Sequence, residues 1–191
     1  SEYWQTPFGW QRRSIRTGQR LRILCGSMCD VFDNQAPQQQ RRKLWSVIKQ
    51  TPELDWLLLT KRAPNMTKML PPDWNTGYPN VWLGVTVENK KHGLPRIHRL
   101  RSIPAAVRFL SMQPLLEDLG SIDLQGIDWV IAGAESGSAA RTMRPAWLTA
   151  IQAQCRKQRV PCFSESMHNR SEPADTCLLE LGTSNSRKWI L

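Results

Sequence analysis

The sequence predicts an α/β protein, either a partial (βα) barrel or an open, mostly parallel sheet with flanking helices. Short β-branched and leucine-rich runs recur along the chain, and most are followed by a segment with helical spacing. The runs are continuously apolar rather than alternating, as expected of strands covered on both faces by crossover helices. The 191 residues suffice for one domain with a sizeable core. We expect that domain over residues 1–170 and a carboxy-terminal extension over 171–191.

The first strand is expected at Leu21–Cys25. After a turn at residues 33–37, the helix Gln38–Gln50 places Leu44, Val47 and Ile48 on one face. A second strand over 55–60 leads to Pro64, which suits the first turn of a helix reaching 70. A proline-rich, aromatic loop over 71–80 precedes a strand over 81–87, and Ile97 and Leu100 mark a helix over 94–103. Further strands are read at 107–111, 127–132 and 160–163, with a helix opened by Pro145 and running to 158 between the last two. Beyond 171 the pattern breaks into a linker-like Ser171-Glu172-Pro173 and two short runs, 177–181 and 188–191, that suit a hairpin.

With 40% hydrophobic residues and no apolar run near 18 residues, nothing is expected to span a membrane. The opening residues carry no secretory pattern, and five cysteines, an odd number without dense spacing, fit a reducing compartment. A cytoplasmic protein with free thiols is expected. The net charge of +10 favours a polyanionic partner through counterion release. Nucleic acid, or an acidic or nucleic-acid-binding host protein, is the expected partner class.

In parallel α/β sheets, ligands bind beyond the carboxyl ends of the strands. Those ends nominate a cleft from Asp30, Thr60, Lys61, Arg62 and Glu88, together with Asn89, Ser111, Gln113, Glu135 and Ser136. The short polar side chains among them also suit helix caps and turns; Lys61, Arg62, Glu88, Gln113 and Glu135 suit that role less well. Cys25-x-x-x-Cys29 lacks a third ligand, His92, His98 and His168 are scattered, and Gly133-Ala134-Glu135-Ser136-Gly137 lacks the central serine of a nucleophile elbow. No catalytic residue and no metal ligand is assigned. A polyanion-binding set is read at Arg12, Arg13, Arg16, Arg20 and Arg22, at Arg41, Arg42 and Lys43, and at Arg96, Arg99 and Arg101. Trp4, Trp10, Trp45 and Trp74 lie near these groups, where they would stack on bases or pack in the protein.

Five blocks in order carry a family resemblance: Ser27-x-x-Asp30-Val31-Phe32-Asp33-Asn34; residues 55–62, ending Thr60-Lys61-Arg62; residues 79–89, ending Thr86-Val87-Glu88-Asn89; Val107 to Ser111 with Pro114-Leu115-Leu116; and residues 127–137. Over residues 27–163 the chain resembles phage-associated proteins of unknown function with a radical-SAM-like barrel, similar in plan to spore photoproduct lyase. The resemblance implies a partial (βα) barrel, an iron-sulphur cluster, S-adenosylmethionine and a nucleic-acid substrate. Departures accompany it. The cysteine-rich loop that such proteins carry ahead of the segment matching Trp4 to Arg22 is not among these residues. Met112-Gln113-Pro114 stands where the family reads Cys-Glu-Pro, and Cys162-Phe163-Ser164-Glu165 where it reads Phe-Phe-Lys-Gln.

The expectation is therefore a catalytically impaired, radical-SAM-like phage or mobile-element protein without a cofactor. It would act by binding nucleic acid or a host nucleic-acid-handling complex, for instance as an anti-defence inhibitor such as an anti-CRISPR protein. The alternative is a fragment of a radical-SAM enzyme acting on nucleic acid, with the cluster and S-adenosylmethionine held by a segment outside this chain; a hydrolase using Lys61, Glu88 and Glu135 is a further enzymatic reading. An exposed sheet edge would invite homodimerisation.

Overall fold

A computed structural model describes residues 4–25, 29–165 and 178–180, with side chains through 164. The chain is α/β, with parallel strands and helical crossovers. It divides into two compact units: the first holds residues up to Leu83, Pro104–Ala106 and the last described strand, and the second holds Gly84–Ile103 and the residues from Val107 onward.

In the first unit, α1 (Thr6–Thr17), β1 (Leu21–Cys25), α2 (Gln38–Gln50), β2 (Leu54–Thr60) and α3 (Ala63–Met69) lead to the opening half of β3 (Val81–Thr86). The strand order is β3-β2-β1-β7, where β7 is Leu178–Glu180. β1 pairs in parallel with β2, Ile23 opposite Trp56, and with β7, Ile23 opposite Leu179. The second side of β1 is thus paired rather than open. Leu178–Glu180 adds to the sheet in parallel beside β1; the run 188–191, the second arm of the expected hairpin, lies outside the described residues.

β2 is buried almost throughout, which explains its continuous apolar run, whereas β1 alternates buried and half-buried positions. α2 buries Leu44, Trp45, Val47 and Ile48 as one stripe. At its end the Thr51 hydroxyl donates to Val47 O at 2.8 Å and accepts from the indole of the fully buried Trp56 at 3.0 Å. Asn80 fastens the approach to β3, its amide donating to Ile48 O and Thr51 O at 3.1 and 3.2 Å.

α1 has no counterpart in the expected elements. Its buried positions are Pro7 and Ser14 alone, so it lacks the apolar stripe that marks a helix in sequence. Local devices delimit it instead. Pro7 lies in its first turn, Gly18 at φ +67° supplies the left-handed residue that ends it, and the buried Ser14 hydroxyl donates to Gln19 O and accepts from Leu21 N.

In the second unit, the closing half of β3 is followed by α4 (Lys90–Arg101), β4 (Val107–Met112), β5 (Trp129–Gly133), α5 (Pro145–Gln158) and β6 (Cys162–Glu165). The strand order is β6-β5-β4-β3, and β5 runs parallel to both β4 and β6. α4 begins a turn earlier than the expected 94, because side chains satisfy its first backbone donors: Asn89 Oδ1 accepts from His92 N at 2.8 Å and Glu117 accepts from Lys90 N at 2.5 Å. Pro95 is therefore inside the helix.

No helix connects β4 to β5. Residues 113–128 instead bury Leu115, Leu119, Ile122, Leu124 and Ile127 along an extended path. Two glutamines one turn apart on α5 satisfy that path's backbone. Gln154 accepts from Ile122 N and donates to Gly120 O, and Gln158 accepts from Leu124 N and donates to Ile122 O, all within 2.9 Å. Among the described residues, no helix is long and apolar enough to cross a membrane.

Candidate functional site

At the strand ends of the first unit, Asp30 is a brace. Its Oδ1 accepts from the Thr60 hydroxyl at 2.7 Å and from Phe32 N at 2.9 Å, and its Oδ2 accepts from Lys61 N at 3.0 Å. Thr60 Oγ1 in turn accepts from Arg62 N at 2.8 Å, and the Arg62 guanidinium meets Asp33 at 2.6 Å. Hydrogen bonding to Gln35 N, and then to Arg62, holds the Asp33 carboxyl below its ordinary range. Four of the nominated residues, Lys61 through its backbone N–H, are thereby drawn into one loop network.

In the second unit, Glu88 and Arg96 form an ion pair at 2.7 Å with side chains only 11% and 14% exposed. The same guanidinium nitrogen donates to Thr86 O at 2.7 Å. Glu135 receives a two-pronged contact from Arg141, each nitrogen–oxygen distance 2.7 Å, plus Arg141 N at 2.9 Å. These bonds hold its carboxyl at about 2 against an ordinary 4.5. Glu88 also acts on Arg141, raising its pKa as a lesser cause after Glu135. Asn89 is the α4 cap, Ser111 is buried and accepts from Val87 N through its carbonyl, and the Gln113 amide faces Ala134 O at 3.5 Å beside Gly133. Ser136 is exposed. A general base works best with a pKa near the operating pH, and a carboxyl at about 2 lies far from that.

Among the described residues, Cys25, Cys29, Cys155 and Cys162 are free thiols. Burial, then Cys29, pushes the Cys25 thiol up; a mutual hydrogen bond raises Cys155 and lowers Cys162.

The basic residues divide by what they touch. Arg20 is committed to Asp55, Glu53 and two backbone carbonyls, Arg22 lies 5.0 Å from the Trp82 ring centre, and Arg96 is held by Glu88. Arg101 pairs with Asp123 in the second unit, where Arg99 is exposed. By contrast, Arg12, Arg13 and Arg16 on α1 and Arg42 on α2 are exposed, with no ion-pair or hydrogen-bond partner among the described residues.

Two side-chain contacts tie α2 to α1 and the residue ahead of it. Lys43 stacks its ammonium on Trp4 at 4.9 Å, and Gln11 bridges Gln50 O and Glu53 N. Across α1, α2 and α3 the ionisable residues are Arg12, Arg13, Arg16, Arg41, Arg42, Lys43, Lys49 and Lys68, with no carboxylate on any of the three helices. The described carboxylates of this unit sit in loops and strands, where Asp30, Asp33, Glu53, Asp55 and Asp73 are each already bound.

α2 also walls a groove of about 450 Å³. It contributes Arg41, Arg42, Trp45 and Lys49, and the end of α3 with the following turn contributes Lys68 and the run Met69 to Asp73. Asp73 is the groove's one acid among the described residues, and it binds Lys49 at 2.5 Å and the Tyr78 hydroxyl at 2.6 Å. Those two partners hold the Asp73 carboxyl low. Trp45 and Trp74, which the sequence offered either as stacking platforms or as packing residues, are each only 6% exposed and pack with Tyr78, so their rings build the core beside the groove.

A family of proteins of unknown function, DUF5131, matches residues 1–174. The chain belongs to that family. The match spans every element from α1 to β6 and both sets of strand-end residues. No curated protein and no solved structure matches the chain. Sequence reasoning passed over Lys49, Lys68 and the groove they share, because the groove joins a helix to a turn some twenty residues later through the Asp73 link, and no local spacing signals that contact.

Proposed function

We propose that this protein acts by binding nucleic acid through the helical face of its first unit, on a scaffold of radical-SAM-like plan and phage or mobile-element origin, in the cytoplasm and without catalysis. The observation that carries the reading is the acid-free character of α1, α2 and α3, eight cations with no carboxylate among them. A surface evolved for solubility alone intersperses both signs, whereas a one-sign field concentrates phosphate ligands and speeds their encounter. The strand-end residues support a non-catalytic role, since their charged groups neutralise one another in Glu88–Arg96 and Glu135–Arg141.

Fluorescence anisotropy with a labelled DNA duplex and the matching RNA tests the reading. Wild-type protein binds at low salt, and the triple variant R12E/R13E/R16E weakens binding at least tenfold while its circular-dichroism melt stays unchanged. Equal affinity of the two proteins, or no binding by either, contradicts the proposal. Capture of an acidic protein in place of nucleic acid would move the same face to a different partner and overturn the nucleic-acid reading.

A further inference from the structure

We propose that the groove between α2 and the turn after α3 is a subsite for single-stranded nucleic acid, seating a phosphate on Arg42 and Lys68 and an unpaired nucleotide against the apolar run Met69 to Pro72. The inference rests on the nucleic-acid reading above and goes beyond it by naming the strand state and the subsite.

Charge supplies the first part of the argument. Of the four cations in the groove, Arg41 donates to Val31 O at 3.1 Å and Lys49 is bound to Asp73 at 2.5 Å. Arg42 and Lys68 are exposed and have no partner among the described residues. The groove's one described carboxylate is neutralised by Lys49, so Arg42 and Lys68 remain for a ligand. Two uncommitted cations at one concavity suit a phosphodiester, which brings one charge per nucleotide and several acceptor oxygens.

Shape and polarity supply the second part. A volume of about 450 Å³ is at the scale of small-ligand clefts, large enough for a nucleotide and too small to enclose a duplex. Met69, Leu70, Pro71 and Pro72 add an apolar surface that a duplex, with its bases stacked inside, has nothing to set against. A single strand exposes base and sugar faces that do gain from such a surface. The wall is also stiff: two consecutive prolines follow α3, and the turn is pinned to α2 through Asp73, Lys49 and Tyr78. A stiff wall limits the ordering cost of binding.

The test uses the full chain with a fluorescein-labelled oligothymidylate and, separately, a duplex of mixed sequence. Wild-type protein is expected to bind the single strand at least tenfold tighter than the duplex. The exposed-residue variants Arg42→Glu and Lys68→Glu should each lower single-strand affinity at least tenfold and duplex affinity by a clearly smaller factor, so that most of the preference is lost. Lys68→Ala, a milder change, should remove part of it. If single strand and duplex bind equally, or the groove variants leave the preference intact, the subsite is refuted while the broader reading stands. If R12E/R13E/R16E and wild type alike fail to bind either probe, both fall together.

Discussion

The Phe109 ring lies directly over Gly84: a Cβ at position 84 would stand 2.3 Å from Phe109 Cζ and 2.4 Å from Cε1. Both residues are fully buried within the second unit, and Phe109 also packs against Trp129 at a ring separation of 6.1 Å. The glycine in the third strand is thus a packing requirement, set by a ring that occupies its Cβ position. Gly84→Ala should destabilise the protein by about 2 kcal/mol, at the level of core overpacking. Chemical denaturation checks this, and the double variant with Phe109→Leu should recover part of the loss, since the bulk and the ring compete for one space.

Glu135 offers a pH test. Hydrogen bonding to Arg141 holds its folded pKa at about 2, below the ordinary 4.5. A depressed folded value means that the contribution of the pair is fully present above about pH 4.5 and is lost as pH falls through about 2. Carboxyl-carbon NMR titration should place the Glu135 midpoint near 2 and raise it toward the usual glutamate range in Arg141→Met, which keeps only the backbone N–H of that contact. A wild-type midpoint near 4.5 would show that the two-pronged contact does not persist in solution.

Trp45 and Trp56 should respond differently to the same substitution. The Trp56 indole donates to Thr51 Oγ1 at 3.0 Å, whereas the buried Trp45 indole has no acceptor among the described residues. Replacing either by phenylalanine loses similar bulk, but only Trp56→Phe breaks a buried hydrogen bond and leaves Thr51 with an unmet lone pair. The expected difference is about 1 kcal/mol, Trp56→Phe being the more destabilising. Denaturant midpoints of the two variants check it.

The elements legible in the sequence were those that bury an unbroken apolar run or stripe. Gln38–Gln50 declared itself through Leu44, Val47 and Ile48, and the first strand through Leu21–Cys25. α1 was illegible because its fold rests on Ser14 hydrogen bonds and Gly18, neither of which has a period. The start of α4 was hidden because Glu117, twenty-seven residues away, satisfies Lys90 N. At the strand ends, the polar residue types were readable, yet their partners were not: that Asp30 serves Thr60 and Lys61, or that Arg141 claims Glu135, follows from tertiary proximity alone. The same limit applied to the arginines. Counting charge found the basic segments, and only the structure separated Arg20 and Arg96, held by carboxylates, from Arg12, Arg13 and Arg16, which no described carboxylate holds.

The most direct measurement of the central claim is the salt dependence of duplex DNA binding. Each phosphate neutralised adds about −0.9 to the slope of log K against log salt concentration for duplex DNA. If α1 presents its three arginines to phosphates, wild type should show a slope of about −3 or steeper, and R12E/R13E/R16E should flatten it by roughly 2 to 3. A wild-type slope near zero, or an unchanged slope in the variant, would contradict the account.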